Sequence, residues 1–561
     1  MTAALPRSAD PRGAHSASGA DRTAGGSLTG TWSLLGFMLR RDRVRLPAWV
    51  LGLTALLAYF GVALGLVLDE TALASFAAFA ATPVMALIGG PGYGFDEITT
   101  ARFLVGLYGG YLMIGAALMS ITTVSRHTRV EEQTGRAELV RASAVGRHAP
   151  LAAALILTAL MNAAATGLMT LAFIASPAEP GSPAAALLFA CSIGAAGLVF
   201  AGLAAVTVQL SPFARAASGI AGAALAAAFI VRGLGDMSAQ QGGDLGWLTW
   251  LSPFGWSQQT APLTLDRWWP LLLSLGAALL LAAAGFALQS RRDLAAGILP
   301  DRLGSPAAPA WLRGPFSLAL RLQRSALIWW SFGMLAGGVT LGAFVRPMAE
   351  NASGMPEQIL VVIGGTEGLV DGYLGFMGVY FAIMIAVSAI VAVQGLRGEE
   401  QGVRAEPVLA ASVSRPAWLL AWTAVAALGA LGMLALAGLG NGLGAGLATG
   451  DWDLLGPVVL GHVVHAPAVW LLLGISVALY GLTPRLLGLT WAVFVWSTLL
   501  GFFGEMLDLD EAVLATSVFR HVGQYPAEEI EWAAVGLLTA IAAGLVAVGA
   551  MGFRRRDLIT A

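Results

Sequence analysis

Residues 129–147 read RVEEQTGRAELVRASAVGR, and residues 397–415 read RGEEQGVRAEPVLAASVSR. The two stretches align without a gap at an offset of 268, with 11 of 19 positions identical. Three further blocks repeat at nearly the same spacing. Upstream, Gly106, Gly109, Tyr111 and Ile114 match Gly375, Gly378, Tyr380 and Ile383. Downstream, Arg291-Arg292-Asp293-Leu294 matches Arg555-Arg556-Asp557-Leu558, and Leu210-Ser211-Pro212 matches Leu482-Thr483-Pro484. A duplication of about 265 residues explains all four blocks. Each copy is long enough for a domain of its own.

What lies between the blocks is apolar. The chain has 561 residues, 57% hydrophobic and 11% charged, with a mean hydropathy of +0.75. A soluble fold this poor in charge could not cover its surface; runs of about 20 apolar residues cross a bilayer instead. Such runs fall near 47–67, 103–124, 151–174, 184–207, 217–233 and 268–289. A second six fall near 326–345, 374–394, 417–439, 456–480, 486–504 and 531–552. The expected fold is all-α and polytopic, with about twelve transmembrane helices in two tandem six-helix repeats. Six is even, so both copies take the same orientation, related by a pseudo-two-fold axis along the membrane normal.

Arginine placement supports that topology. All 31 basic residues are Arg, and with the N-terminus inside, 26 of them fall in cytoplasmic segments. Only Arg102, Arg232, Arg267, Arg346 and Arg520 are left outside. This is the positive-inside asymmetry, and it puts both termini in the cytoplasm of a cell-membrane protein. Residues 1–30, polar and without an apolar h-region, read as a disordered cytoplasmic tail. The first repeat covers 31–296, with an interfacial amphipathic helix over 31–45 and a charged loop over 125–148. A linker over 297–312 precedes the second repeat, 313–561, with its loop over 395–416. Residues 313–324 also read as an amphipathic segment lying in the headgroup plane.

The repeated loops are the candidate functional segments. They carry Glu131, Glu132, Arg136, Glu138, Arg141 and Arg147, then Glu399, Glu400, Arg404, Glu406 and Arg415. On a continuous helix, Glu132–Arg136 and Glu400–Arg404 would be i,i+4 pairs. A charged turn needs no function, but retention in both copies while neighbouring loops diverge points to something gripped twice. The pattern resembles the coupling-helix loop of ABC-type-two exporter permeases. The tandem arrangement is similar to that of the fused actinobacterial permeases described as polyketide antibiotic exporters of the tetronasin type. The resemblance implies that both loops sit in clefts of a separate cytoplasmic ATPase, present in two copies, which supplies ATP and Mg. It also implies short re-entrant helices before the last span of each half. Two departures, Gly135 to Val403 and Leu139 to Pro407, make the loops unequal.

Other chemistry is excluded or weak. A Walker-A loop needs a Lys, and the chain has none, so neither Gly89–Gly94 nor the glycines from Gly438 to Gly446 form one. Those glycines read as turns or close helix contacts. The acids Asp69, Glu70, Asp96, Glu97, Glu367 and Asp371 fall at outer ends of spans or beyond, which disfavours the alternative of an ion-coupled secondary transporter. Asn162, Gln209 and Gln394 read as helix-packing groups. His462 and His465 lack further metal ligands nearby and read as an interfacial helix end. Cys191 reads as a small core residue, and the tryptophans between 247 and 269 as an interfacial belt. The chain is thus expected to be a transport subunit with no catalytic residues, no metal and no cofactor of its own, moving an apolar or amphiphilic small molecule.

Overall fold

The computed structural model describes residues 26–67, 83–299, 304–350, 368–503 and 509–558. Among them every regular element is helical, and eleven helices are long and apolar enough to cross a membrane. The chain is an all-α polytopic membrane protein. The apolar run at 486–504 forms the shorter helix Leu489–Phe503, which leads into residues outside the described set. Asp69, Glu70 and Glu367 also lie outside it.

The helices group into two compact units. Among the described residues, unit 1 draws on 26–65, Gly89–Gly94 and 100–299, and unit 2 on 66–67, 83–88, Phe95–Thr99, 304–350, 368–503 and 509–558. In unit 1, α1 (Thr31–Arg41) and α2 (Arg45–Val67) are followed by α3 (Thr100–Gln133) and the short α4 (Arg136–Arg141). Then come α5 (Ala149–Ile174), α6 (Pro183–Leu210), α7 (Ala214–Gln240), α8 (Pro253–Gln258) and α9 (Pro270–Gln289). Helix α6 starts at the Ser182 cap with Pro183 in its first turn, where a missing N–H costs nothing. It is buried around its circumference by Leu188, Phe189, Ile193, Ala196, Phe200 and Ala204, and packs on α3, α5, α7 and α9. That makes it the axis of the unit.

Unit 2 contains α10 (Pro315–Gly342), α11 (Leu369–Gln401), α12 (Ala405–Ala410) and α13 (Arg415–Thr449). After them come α14 (Leu455–Val463), α15 (Ala466–Leu482), α16 (Leu489–Phe503) and α17 (Trp532–Arg555). The last long helix of each unit crosses its partner through aligned small residues. Gly202 lies on Ala278 and Gly285 on Ala205 in unit 1; Gly474 lies on Ala542 and Gly549 on Val477 in unit 2. A Cβ at any of these four glycines would meet the facing helix, so the backbones touch directly.

Four expectations are corrected or narrowed. Residues 313–324 are not a separate interfacial helix. Nothing breaks the chain after Pro315, and they form the first turns of α10. Of the two readings for the glycines from Gly438 to Gly446, the close helix contact holds and the turn does not: α13 runs through them, and Gly440 and Gly444 let α10 approach at Gly338 and Gly342. Helix α7 passes residue 233 to reach Gln240, so it carries Arg232 and Asp236 into the interior as a buried pair, Nη1 to Oδ2 3.3 Å. Last, His462 and His465 stand at a helix end, the break between α14 and α15, and the bundle buries both fully. His462 packs on the Phe381 ring and beside Gly438, and His465 lies beside Gly378. After α7 the chain folds back through a 3-10 turn, Gly246–Leu251, and α8. Ser257 there donates to the carbonyl of Ser192, well inside α6, at 2.9 Å.

Candidate functional site

Both charged loops grow from helices that run past their apolar stretch. In unit 1, α3 ends at Gln133 because Gly135 takes a left-handed conformation, φ 75°, before α4 begins. In unit 2, α11 ends at Gln401 and Val403 adopts the same turn, φ 60°. The break removes the i,i+4 relation expected for Glu132–Arg136 and Glu400–Arg404. Arg136 instead reaches Glu131, Nε to Oε2 3.0 Å, and Arg404 reaches Glu399, Nη2 to Oε1 2.9 Å. Hydrogen bonding to Glu399 holds the Arg404 guanidinium above its ordinary pKa.

Freed from those partners, Glu132 and Glu400 turn inward. The guanidinium of Arg292, just beyond α9, donates to both oxygens of Glu132, at 2.9 and 2.7 Å. The guanidinium of Arg556, just beyond α17, donates to both oxygens of Glu400, at 2.6 and 2.7 Å. The pairs occupy aligned positions: the loop motif and the Arg-Arg-Asp-Leu block meet in each unit. Such a fork-to-fork bond fixes direction as well as distance.

The far end of each loop returns to the same arginine. Arg147 donates to the carbonyl of Arg292 at 2.8 Å and to that of Gln289 at 2.8 Å. Arg415 donates to the carbonyl of Arg556 at 2.6 Å. One residue thus holds both ends of its loop, the carboxylate by side chain and the returning arginine by backbone.

The surroundings differ. In unit 1 a second cation, the fully buried Arg129, donates to Glu132 at 2.9 Å and to the Val208 carbonyl, while Arg292 Nε donates to Gln209 at 2.5 Å. Arg41 adds a bond to Glu131 at 2.8 Å, tying the loop to α1. The next residue, Asp42, is held by Arg126 at 2.6 Å, and that hydrogen bond depresses its pKa. In unit 2 Glu400 also accepts from the phenol of Tyr480, at 2.6 Å, with the Arg556 guanidinium over its ring.

The candidate residues therefore sort into two sets. Glu132, Glu400, Arg147 and Arg415 bind within the unit. Arg136, Glu138, Arg404 and Glu406 are exposed around the loop tips, with Glu131 and Glu399 half-buried beneath them. The Arg141 side chain lies outside the described residues. Leu139 is 76% exposed beside Glu138, an apolar residue with nothing of its own unit over it. Beside the first loop a cleft open to solvent runs between α1, α4, α5 and the end of α9, lined by Leu34, Phe37, Met38, Val140 and Leu151.

Residues 32–288 and 312–554 match the family model described as "Multidrug efflux system permease Rv1217c, C-terminal domain". The chain belongs to that family. It is 36% identical over 545 residues to the multidrug efflux system permease protein Rv1217c of Mycobacterium tuberculosis (strain ATCC 25618 / H37Rv), covering 95% of this chain and 96% of the relative. As an Rv1217c-family permease it is a transport subunit rather than an enzyme. In this permease the residues that sequence reading missed are Arg129, Arg292, Arg556 and Tyr480. A signal existed for three of them: Arg129 opens the repeated loop motif, and the Arg-Arg-Asp-Leu block of Arg292 and Arg556 repeats as faithfully as the loop that it holds.

Proposed function

We propose that this permease is the membrane-spanning subunit of an ATP-driven ABC exporter that expels apolar or amphiphilic small molecules, such as polyketides or other antibiotics. The observation that carries the reading is the pair of loops anchored alike, each with its outer charges exposed at the tip. An ion-paired base and an exposed tip suit a segment that is pushed from outside and must not deform. The two copies call for two ATPase subunits, which bring ATP and Mg, since a chain without Lys cannot build a Walker-A loop. The tips carry Arg136, Glu138 and Leu139 in one copy and Arg404, Glu406 and Pro407 in the other. The excess of Arg on the loop side favours a cytoplasmic face there, with both termini on it, in the cell membrane. The name of the mycobacterial relative supports efflux of more than one drug.

Purification from membranes together with the cognate ATPase, followed by reconstitution, tests the reading. The complex should hydrolyse ATP, and amphiphilic drugs should stimulate it. Reversing the exposed acids, Glu138→Arg with Glu406→Arg, should release the ATPase while membrane insertion stays intact. Transport that collapses with a protonophore but survives ATP depletion would show a secondary transporter instead.

A further inference from the structure

We infer that Arg292 and Arg556 are positioning residues that pass movement of the loops into the last long helix of each unit; the role rests on the exporter reading above. Each arginine stands just past the end of that helix, α9 or α17. It holds the carboxylate at the start of the loop with its side chain and the arginine at the end with its carbonyl. A loop so held cannot shift against the helix end without parting a largely buried, two-pronged ion pair. Helix and partner touch backbone to backbone at Gly202 and Gly285, and again at Gly474 and Gly549, so the helix end moves with the bundle instead of flexing alone. Loop, arginine and last helix form one lever in each unit. The arginines touch neither nucleotide nor drug in this scheme; they act through the helix that they end.

The second unit gives the cleaner test, because Tyr480, which also bonds Glu400, is a neutral phenol that can donate to a carboxylate or accept from a guanidinium. The permease–ATPase complex is reconstituted with wild type, Glu400→Arg, Arg556→Glu, the double exchange and Arg556→Lys. Two quantities are read: ATPase subunit retained per permease, and ethidium moved per ATP hydrolysed. For the single reversals, ATPase retention within about two-fold of wild type and at least a ten-fold loss of transport per ATP are expected, with the exchange recovering to within about three-fold. Arg556→Lys keeps the charge but loses the fork, so it should insert normally and still transport several-fold less per ATP. Variants that transport as wild type, Arg556→Lys included, overturn the role. So does a loss of ATPase retention that tracks the loss of transport, because the pair then only holds the fold together. A wild-type chain that captures no ATPase sinks the exporter reading and this role together, and that result is visible before any variant is compared.

Discussion

Val208 and Tyr480 stand at aligned positions, 272 residues apart, and serve the two loops in different ways. Val208 lends its carbonyl to Arg129, which then bonds Glu132. Tyr480 reaches Glu400 directly with its hydroxyl at 2.6 Å. Among the described residues, Arg129 and Arg292 both hold the carboxylate in unit 1, while in unit 2 Arg556 shares its carboxylate with a phenol. The loops are alike in their anchor and unlike in the charge around it.

The difference predicts an asymmetric response to charge exchange. Glu132→Arg with Arg292→Glu would set a new cation against Arg129, which now lies 2.9 Å from the carboxylate. Like charges about 4 Å apart cost on the order of 4 kcal/mol at the effective dielectric of a protein surface. The exchange in unit 1 should therefore fold poorly, whereas the same exchange in unit 2 should fold. Adding Arg129→Met to the unit 1 exchange should recover part of the loss. Yield of monodisperse protein in detergent measures all three, and equal yields for the two exchanges would refute the charge difference.

Tyr480→Phe removes one donor and leaves the ring stacked against Arg556. A hydrogen bond to a charged group is worth about 1.5–3 kcal/mol, so the apparent Tm in detergent should fall measurably. Unchanged melting would mean that the phenol adds nothing to the hold on Glu400.

The membrane class, the spans and the two loops were legible because each leaves a mark along the chain: apolar runs, segregated arginines, a motif repeated at 268. The Glu132–Arg292 pair was half legible, since both members sit in repeated blocks, but nothing in one dimension says that 132 meets 292. Local rules misled where the helix ends early. The i,i+4 rule assigned Arg136 to Glu132, yet the turn at Gly135 hands it to Glu131. Buried charges and histidines were misread for a related reason. A polar residue in an apolar run looks like the end of a span, so Arg232 reads as outside and His462 and His465 as an interfacial helix end, whereas the bundle buries all three.

The turn itself supplies a test. Gly135 has open space where a Cβ would stand, so Gly135→Val costs only backbone strain, about 1–2 kcal/mol for a left-handed residue. Val403 already bears that strain at φ 60°, and Val403→Gly should relieve it by a similar, approximate amount. Hydrogen exchange at the amides of residues 132–136 and 400–404 should quicken in the first variant and slow in the second. Changes in the same direction in both would show that packing, not backbone conformation, governs the turn.

The pair inside α7 makes the strongest prediction for stability. Asp236 accepts from Arg232 at 3.3 Å and from Thr249 at 2.7 Å, and Arg232 also donates to Gln258 and lies over the Phe229 ring. These bonds tie α7 to the segment that folds back after it. Asp236→Asn keeps an acceptor for Thr249 but removes the countercharge of a fully buried guanidinium. Breaking a buried pair by removing one partner costs about 3–5 kcal/mol, while replacing both by apolar residues is often close to neutral. Asp236→Asn should thus melt well below wild type, and Arg232→Leu with Asp236→Leu should regain most of the loss. If the double variant melts no higher than the single one, the bonds to Thr249 and Gln258 hold the segment, and the ion pair does not.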